Sequence, residues 1–459
     1  MKTKLINFFL NSRLFLLLTF LATNFFFIYQ RLNNTGWDFA VYVMNAKYLI
    51  NEGLYFEVLR PLFSSFIISF YGFIFGFKAA EFLYIISIAS LHLYSCYAFC
   101  KKFNFNLNIY YLLFLVPAYF ILGVSIGTEL LMLSLFQLYF AFYDSAFSGI
   151  FLAFSFLTRY NGMLYFPFIL GKDIKLIFKK AIYFIIPIVL FGLYYYFKFG
   201  NPFISFLDNY ALNVYFRDYY RQAFNFVHLI YILGPLVLFT LFYFIFNFKK
   251  IKGFDYVMIL FLLITLYSYY SVPGKEARYL FNLLLPCVYF SYKFIANLKD
   301  IYKIFIIFFY ILLFVLSFSS VIVFYDLIYK DYTKDSYLAA VNMTNDGCMV
   351  SSNAWVLMNY YGRDSKDAPR KELLDYEIDK GYRIVMFKFV GEPDYIKDKD
   401  FLKNKKILYE NEKFFIFGDK NICKEKERVD RSYLYNLNRT YSLLYNQTLN
   451  DYGFLWKKN

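Results

Sequence analysis

The sequence predicts an α-helical polytopic membrane protein that carries a small α/β domain at its C-terminal end. Three observations lead there. Of 459 residues, 60% are hydrophobic and only 18% charged, whereas a soluble domain is roughly 45–50% apolar and about 25% charged. Apolar runs recur along the first 325 residues, many of them long enough for a membrane. From residue 326 onward the texture changes to mixed charge with short strand-like pieces. The 63 Phe and 49 Tyr accompany an excess of Ile, Asn and Lys that has the look of coding bias, so aromatic richness as such is assigned no function.

The net charge of +15 is uneven. Residues 1–325 hold 25 Lys/Arg and 12 Asp/Glu, and residues 326–459 hold 23 and 21. The basic excess belongs to the membrane region, where cytoplasmic Lys and Arg set orientation. That leaves no basic face on a folded domain for nucleic acid. Five Cys and two His exclude a conventional zinc cluster. Cys96, Cys100 and Cys287 sit in apolar runs as small buried hydrophobes. Cys348 and Cys423 lie in the C-terminal domain; an external location would allow a bridge between them, and free thiols are the other option.

The first apolar run, Ser12 to Tyr29, follows Lys2 and Lys4 and has Arg13 at its start. It is too long and too weakly terminated for a cleaved signal peptide, and reads as a signal anchor inserted from the cytoplasm. A polar outer loop, 31–60, follows. Further apolar runs lie near 61–77, 82–100, 109–124, 130–143, 147–158, 161–170, 181–197, 229–247, 255–271, 279–297 and 303–324. The run 61–77 decides the topology. If it crosses, twelve lysines, among them Lys101, Lys102, Lys249 and Lys250, land outside. If it lies along the outer leaflet or dips into it, all twelve face the cytoplasm, as the positive-inside tendency favours. The second choice gives about eleven transmembrane helices, a cytoplasmic N-terminus and an external C-terminal domain in the cell membrane. The N-x-T sequons at Asn33, Asn342, Asn438 and Asn446 all fall on the outer side. The three runs between 130 and 170 are short against a full span of about 20 residues, and are tilted or broken where Arg159 and Asn161 interrupt them. The organisation is a membrane domain at 1–325 and an extracytoplasmic α/β domain at 326–459.

In the tail, CMVSSN reads as a strand, AWVLMNYYGR as the helix after it, RIVMFKFV as a second strand, and KKILYENEKFFIFG as a hairpin around Asn411 and Glu412. The tail carries no Gly-rich phosphate loop and no Ser/His/Asp or Cys/His set, which points to acceptor binding or structural support. The Tyr-rich stretch from Arg431 to Trp456 reads as a surface amphipathic helix.

Ionisable residues at or near membrane depth are costly, so each is a functional candidate. Asp38 lies just beyond the first crossing. Its competing reading is structural: Thr35 and Asp38 have the spacing of a capping box for an amphipathic helix over 39–52. Glu129 begins a crossing, where an acid also suits a helix N-terminus. Arg159 interrupts LTRYNGMLYFP, with snorkelling as its competing reading. Lys275 and Arg278 in PGKEARYLFNLLLP form a pair of cations at one mouth; they read either as interfacial anchors or as the partners a lipid phosphate requires. His92 and His228 are isolated and structural.

In order along the chain come a first crossing, an outer loop with Asp38 near its start and a short helix, then RPLFSSFIISFYGFIFG, TELLMLSLFQLYFAFY, FSGIFLAFSFLTRYNGMLYFPFIL and GKEARYLFNLLLP. This order resembles the GT-C membrane glycosyltransferases, in the protein-mannosyltransferase and aminoarabinose-transferase branch, over most of residues 10–325. VSSNAWVLMNYYG in the tail looks like that of archaeal members. The resemblance implies a transferase using a polyprenyl (dolichyl) phosphate sugar at the outer leaflet, with Asp38 as general base on the acceptor hydroxyl and inversion at the anomeric carbon. It implies further that Lys275, Arg278 and Arg159 stabilise the leaving lipid phosphate, and that Glu129 stands where some relatives carry a second outer acid. Two departures matter. Asp38 is followed by Phe39 and not by Glu, which weakens a protein Ser/Thr acceptor, and the Trp-Trp-Asp motif of oligosaccharyltransferases is absent. The acceptor is a lipid-linked glycan, a glycolipid or a protein. A monophosphate donor does not demand a divalent metal, no metal site is predicted, and the need for one is left open. The alternative is a transporter or flippase of lipid-linked or amphipathic solutes, although no clear internal repeat is visible. A non-catalytic scaffold that displays the tail is the third reading.

Overall fold

The computed structural model describes residues 12–33, 35–53, 56–171, 173–210, 221–299, 334–390, 394–403 and 405–424, with short pieces within 213–214 and 302–319. Contacts divide the chain into two compact units. Among the described residues, one comprises 12–28 and 58–319; the other comprises 29–57 and 334–424. The segment 29–57, which follows the first apolar run, therefore groups with the tail.

Helix α1 (Arg13–Asn33), most of which belongs to the larger unit, is apolar and 21 residues long, about 31 Å at 1.5 Å per residue, enough for the hydrocarbon core. Helix α2 (Trp37–Leu49) belongs to the smaller unit. Helices α3 (Phe63–Phe75) and α4 (Phe77–Phe103) meet at Gly76, whose φ of 78° only glycine adopts without strain. There the chain turns, and Tyr71 OH reaches Ser87 Oγ at 2.7 Å. Helix α3 buries Ser64, Ser65, Ser69 and Gly72 and exposes Phe66, Phe70 and Phe73. Small residues inside and large apolar ones outside is the pattern of a helix facing lipid.

The run 109–124, expected as one crossing, is split into α5 (Leu107–Phe114) and α6 (Pro117–Leu122). Pro117 disfavours helical geometry at Val116, which is extended. Helix α7 (Glu129–Ala141) is buried along its whole length. Helix α8 (Ser148–Thr158) ends at an extended Arg159, after which Tyr160–Ile169 continues as 3₁₀ turns; the predicted interruption at Arg159 is present. Helix α9 (Ile174–Phe199) is long and apolar enough to cross a membrane, and α10 (Ile204–Tyr210) follows it. The run 229–247 is two helices, α11 (Phe226–Leu233) and α12 (Leu236–Asn247), bent by 96° at Gly234-Pro235. Helix α13 (Phe254–Ser271) is straightforward; a 3₁₀ segment, Ala277–Leu283, then leads into α14 (Leu284–Ala296).

By length and composition, five described helices can cross a membrane, or six if the bent pair is one span. Helices α3, α7 and α8 are apolar but shorter. The distance from the expected eleven lies in these short helices, in the breaks at Pro117 and Gly234-Pro235, and in the run 303–324, part of which is outside the described residues.

The smaller unit is built on a five-stranded mixed sheet. Its elements are α15 (Lys334–Met343), β1 (Val350–Ser352), α16 (Trp355–Tyr360), β2 (Ser365–Asp367), α17 (Leu374–Asp379), β3 (Arg383–Phe387), α18 (Lys399–Lys403), β4 (Ile407–Glu410) and β5 (Phe414–Phe417). The strand order is β2-β1-β3-β5-β4, with β1 parallel to β2 and β3, and β5 antiparallel to β3 and β4. Side chains of a strand alternate between faces. Val385 and Phe387 of β3, with Phe414 and Ile416 of β5, enter one core, while Ile384, Met386, Phe415 and Phe417 enter the other. Both faces are covered, which is why RIVMF and FFIF are continuously apolar. The first core also takes Ala40, Val41 and Met44 of α2.

Both predicted tail strands, the helix between them and the hairpin are present. The sequon residues Asn438 and Asn446 and the Tyr-rich C-terminal stretch lie outside the described residues. Cys348 and Cys423 are bridged. The bridge closes a loop of 75 residues, so the paired Cys348→Ser, Cys423→Ser variant is expected to lose about 2–4 kcal/mol of stability in this unit. Thermal unfolding with and without reductant checks this; identical midpoints would refute it.

Candidate functional site

Glu129 opens α7 and Arg159 closes α8, 30 residues apart in sequence. In the structure they form an ion pair between Arg159 Nη1 and Glu129 Oε1. The other carboxylate oxygen accepts from Thr128 Oγ1 at 3.1 Å. Glu129 is 1% and Arg159 17% exposed. Arg159 thus does not snorkel, and Glu129 is not an open second acid: its carboxylate is the counter-charge that keeps a guanidinium at this depth.

Arg278 adds a second guanidinium to the group. The Arg159 and Arg278 guanidinium carbons lie 5.6 and 5.4 Å from the ring centroid of Tyr279, within cation–π reach. Arg278 Nε is 2.5 Å from Glu276 Oε2, and Tyr279 OH donates to Glu276 Oε1 at 3.4 Å. Two cations and two acids are therefore gathered about one aromatic ring, a basic cluster whose charge is partly balanced.

Lys275 behaves differently from its expected role. An ammonium has three donors, and here they go to the carbonyls of Tyr269 (2.9 Å), Tyr270 (2.8 Å) and Val272. Lys275 caps the C-terminal end of α13, where orphan carbonyls and the helix dipole favour a cation. Burial, then the nearby Arg221 charge, hold its pKa below the usual ammonium value. It offers charge to a phosphate but no hydrogen bond unless it leaves the helix end.

Asp38 stands in the first turn of α2, in the smaller unit, half-buried. The capping-box expectation fails here. Gly36 is the N-cap, with no side-chain cap bond, and Thr35 Oγ1 shares a hydrogen bond of 2.8 Å with Tyr361 OH. Nor is the helix amphipathic, since every residue from Phe39 to Ala46 is buried. Three contacts seat it. Trp37 packs edge-on against Trp355 at 6.1 Å. Arg31 stacks on Phe39 at 4.3 Å and donates to Tyr360 OH at 2.5 Å. Asn45 exchanges two hydrogen bonds with the backbone of Glu57, at 3.0 and 2.8 Å. The tail thus scaffolds the helix that presents Asp38.

One acid escaped sequence reading. Asp208 of α10, beyond the membrane span α9, is 3% exposed and its carboxylate has no hydrogen bond among the described residues. Burial pushes its pKa up from 3.8 to about 7. Its helix is held by Ser205 Oγ donating to the Arg60 carbonyl at 3.4 Å and by Asn209 Nδ2 donating to the Leu59 carbonyl at 3.0 Å. The signal was available: a lone acid inside FISFLDNYAL, past a crossing. Because the folded carboxyl binds its proton more tightly than the unfolded one, stability should fall as pH rises from about 4 to about 7 and then level off. Asp208→Asn is expected to remove that slope and to be the more stable form at pH 8, by at most about 4 kcal/mol. Parallel melting curves across pH would refute this.

Among the described residues, no three or more His, Cys, Asp or Glu side chains gather as a metal site would require. The helix order, the broken and short apolar helices and the α/β unit define a helical, polytopic membrane fold. The chain is similar to the crystal structure of ArnT from Cupriavidus metallidurans bound to undecaprenyl phosphate, with a TM-score of 0.61, at 10% identity, covering 88% of this chain and 98% of that one. No family model matches the chain, and no curated protein matches it at a significant level.

Proposed function

We propose that this protein is an inverting membrane glycosyltransferase that moves a sugar from a polyprenyl phosphate, of the dolichyl kind, to an acceptor hydroxyl at the outer membrane face. The observation that carries the reading is the end-to-end likeness of fold to a protein bound to undecaprenyl phosphate. Asp38 takes the proton of the acceptor hydroxyl. The oxygen attacks the anomeric carbon, a new C–O bond forms, and the bond to the lipid phosphate breaks with its electron pair leaving on phosphate. Arg159 and Arg278 stabilise that growing charge, where stabilisation lowers the barrier. Glu129 and Tyr279 position them, and Lys275 contributes field without a direct bond. The archaeal-type branch rests on the resemblance in the tail; the sugar is proposed to be a hexose, which no motif in the sequence specifies, and the acceptor is a lipid-linked glycan, a glycolipid or a protein.

Sidedness with the N-terminus in the cytoplasm and the tail outside is supported by how the larger unit pairs its ends. Glu129 meets Arg159, both expected outside, and Lys102 meets Asp144, both expected inside. Tyr292 OH accepts from the Asn106 amide at 2.6 Å, again two residues expected inside. The Cys348–Cys423 bridge supports an oxidising location for the tail.

One observation favours transport: the 96° bend between α11 and α12 is the kind of broken helix that transporters use. The deciding experiment is transfer from a set of polyprenyl phosphate sugars by the purified protein in vesicles. Transfer from at least one donor is expected; none from any donor by folded protein, with movement of a lipid-linked sugar across the bilayer, would establish the transporter instead.

A further inference from the structure

At the opposite end of α13 from Lys275 the larger unit builds a second basic site. Helix α12 ends at Asn247, a 3₁₀ turn Phe248–Lys250 follows, and α13 starts at Phe254. A cavity of about 410 Å³ opens there, lined by Lys249, Lys250, Lys252, Lys293 and Asn247 among others. That volume lies in the usual range for ligand pockets. Lys293 is neutralised by Asp255, 2.6 Å away. Lys249, Lys250 and Lys252 have no carboxylate within ion-pair reach among the described residues.

The second observation is Asn247. It is 7% exposed, yet its side-chain amide makes no hydrogen bond among the described residues. The amide is open to the cavity, where it can donate to a ligand oxygen among the cations. Lysines that served orientation alone would need no cavity with an amide donor in its wall.

The surroundings name the ligand. Helix α13 is 18 residues long, about 27 Å, so its first turn lies at the level of a membrane surface. Ile245, Phe246, Phe248 and Tyr256, immediately beside the cavity, are 61–72% exposed, an apolar wall where acyl chains would lie. We infer that this cavity binds the phosphate of an anionic membrane phospholipid, with the three free lysines and Asn247 on the headgroup oxygens. The site is separate from the cluster around Tyr279, at the other end of the same helix.

The test titrates the full chain, purified in nonionic detergent, with short-chain phosphatidylglycerol, short-chain phosphatidylcholine and inorganic phosphate. Native mass spectrometry counts bound lipid, and the thermal midpoint is followed in parallel. Phosphatidylglycerol is expected to bind about tenfold or more tightly than phosphatidylcholine. The triple variant Lys249→Gln, Lys250→Gln, Lys252→Gln is expected to lose about a hundredfold of that affinity. Asn247→Leu, which keeps every charge, is expected to lose about tenfold. The corresponding triple Lys→Arg variant should retain binding, separating charge from folding. Unchanged binding in the triple Gln variant overturns the site, and loss there with Asn247→Leu unaffected overturns the cavity in favour of diffuse charge. Inorganic phosphate alone raising the midpoint as far as phosphatidylglycerol does would make the ligand soluble phosphate and overturn the lipid assignment.

Discussion

Asp38→Asn is expected to lower the rate of sugar transfer from a polyprenyl phosphate donor by about 10²–10⁴-fold, the usual worth of a general base. Asn keeps the shape of the side chain and removes only its capacity to take a proton. The loss should appear in kcat, with the donor KM little changed, because the base acts on the acceptor and only as the bond forms. Folding should survive: α2 is held by Trp37 against Trp355, by the two Asn45–Glu57 hydrogen bonds and by Ala40, Val41 and Met44 in the core of the smaller unit. Loss of a carboxylate near a helix N-terminus costs about 0.3–1 kcal/mol, a small shift of the melting midpoint. Transfer at the wild-type rate by folded Asp38→Asn protein would remove Asp38 from the chemistry.

The largest effect on stability is expected at Glu129 and Arg159. Arg159→Met strands the Glu129 carboxylate, 1% exposed, without its counter-charge. Breaking one side of a buried pair costs about 3–5 kcal/mol, because an uncompensated charge remains inside. Adding Glu129→Gln to Arg159→Met takes that charge away and should recover most of the loss. A double-mutant cycle on thermal unfolding in detergent reads the coupling. Additive single effects would mean that the two side chains do not hold each other. Activity tests the second role proposed for Arg159, at the leaving phosphate: the double variant, which lacks that charge, should still transfer poorly.

Much of the architecture is readable along the chain. Helices α1, α4, α9 and α13 follow from apolar length, and β3 and β5 from short apolar runs bounded by polar turns. Pro117 and Gly234-Pro235 are visible as residues, but hydropathy averaged over a run does not show the breaks they make. The candidate site was legible only as a set of residue types. That Arg159 would be costly in an apolar stretch could be foreseen; that Glu129, 30 residues earlier, would answer it could not.

Hydropathy, chain breaks and strand alternation depend on a residue and its near neighbours, and these decided that the protein is a membrane-embedded helical fold with an α/β tail. The tertiary structure decided which groups meet. Thr35 has the spacing of a cap, yet its hydroxyl goes to Tyr361, 326 residues away. Lys275 looks like a phosphate ligand until the end of α13 takes all three of its donors. A polar group takes whichever partner the fold brings within about 3 Å, and no local pattern encodes that distance.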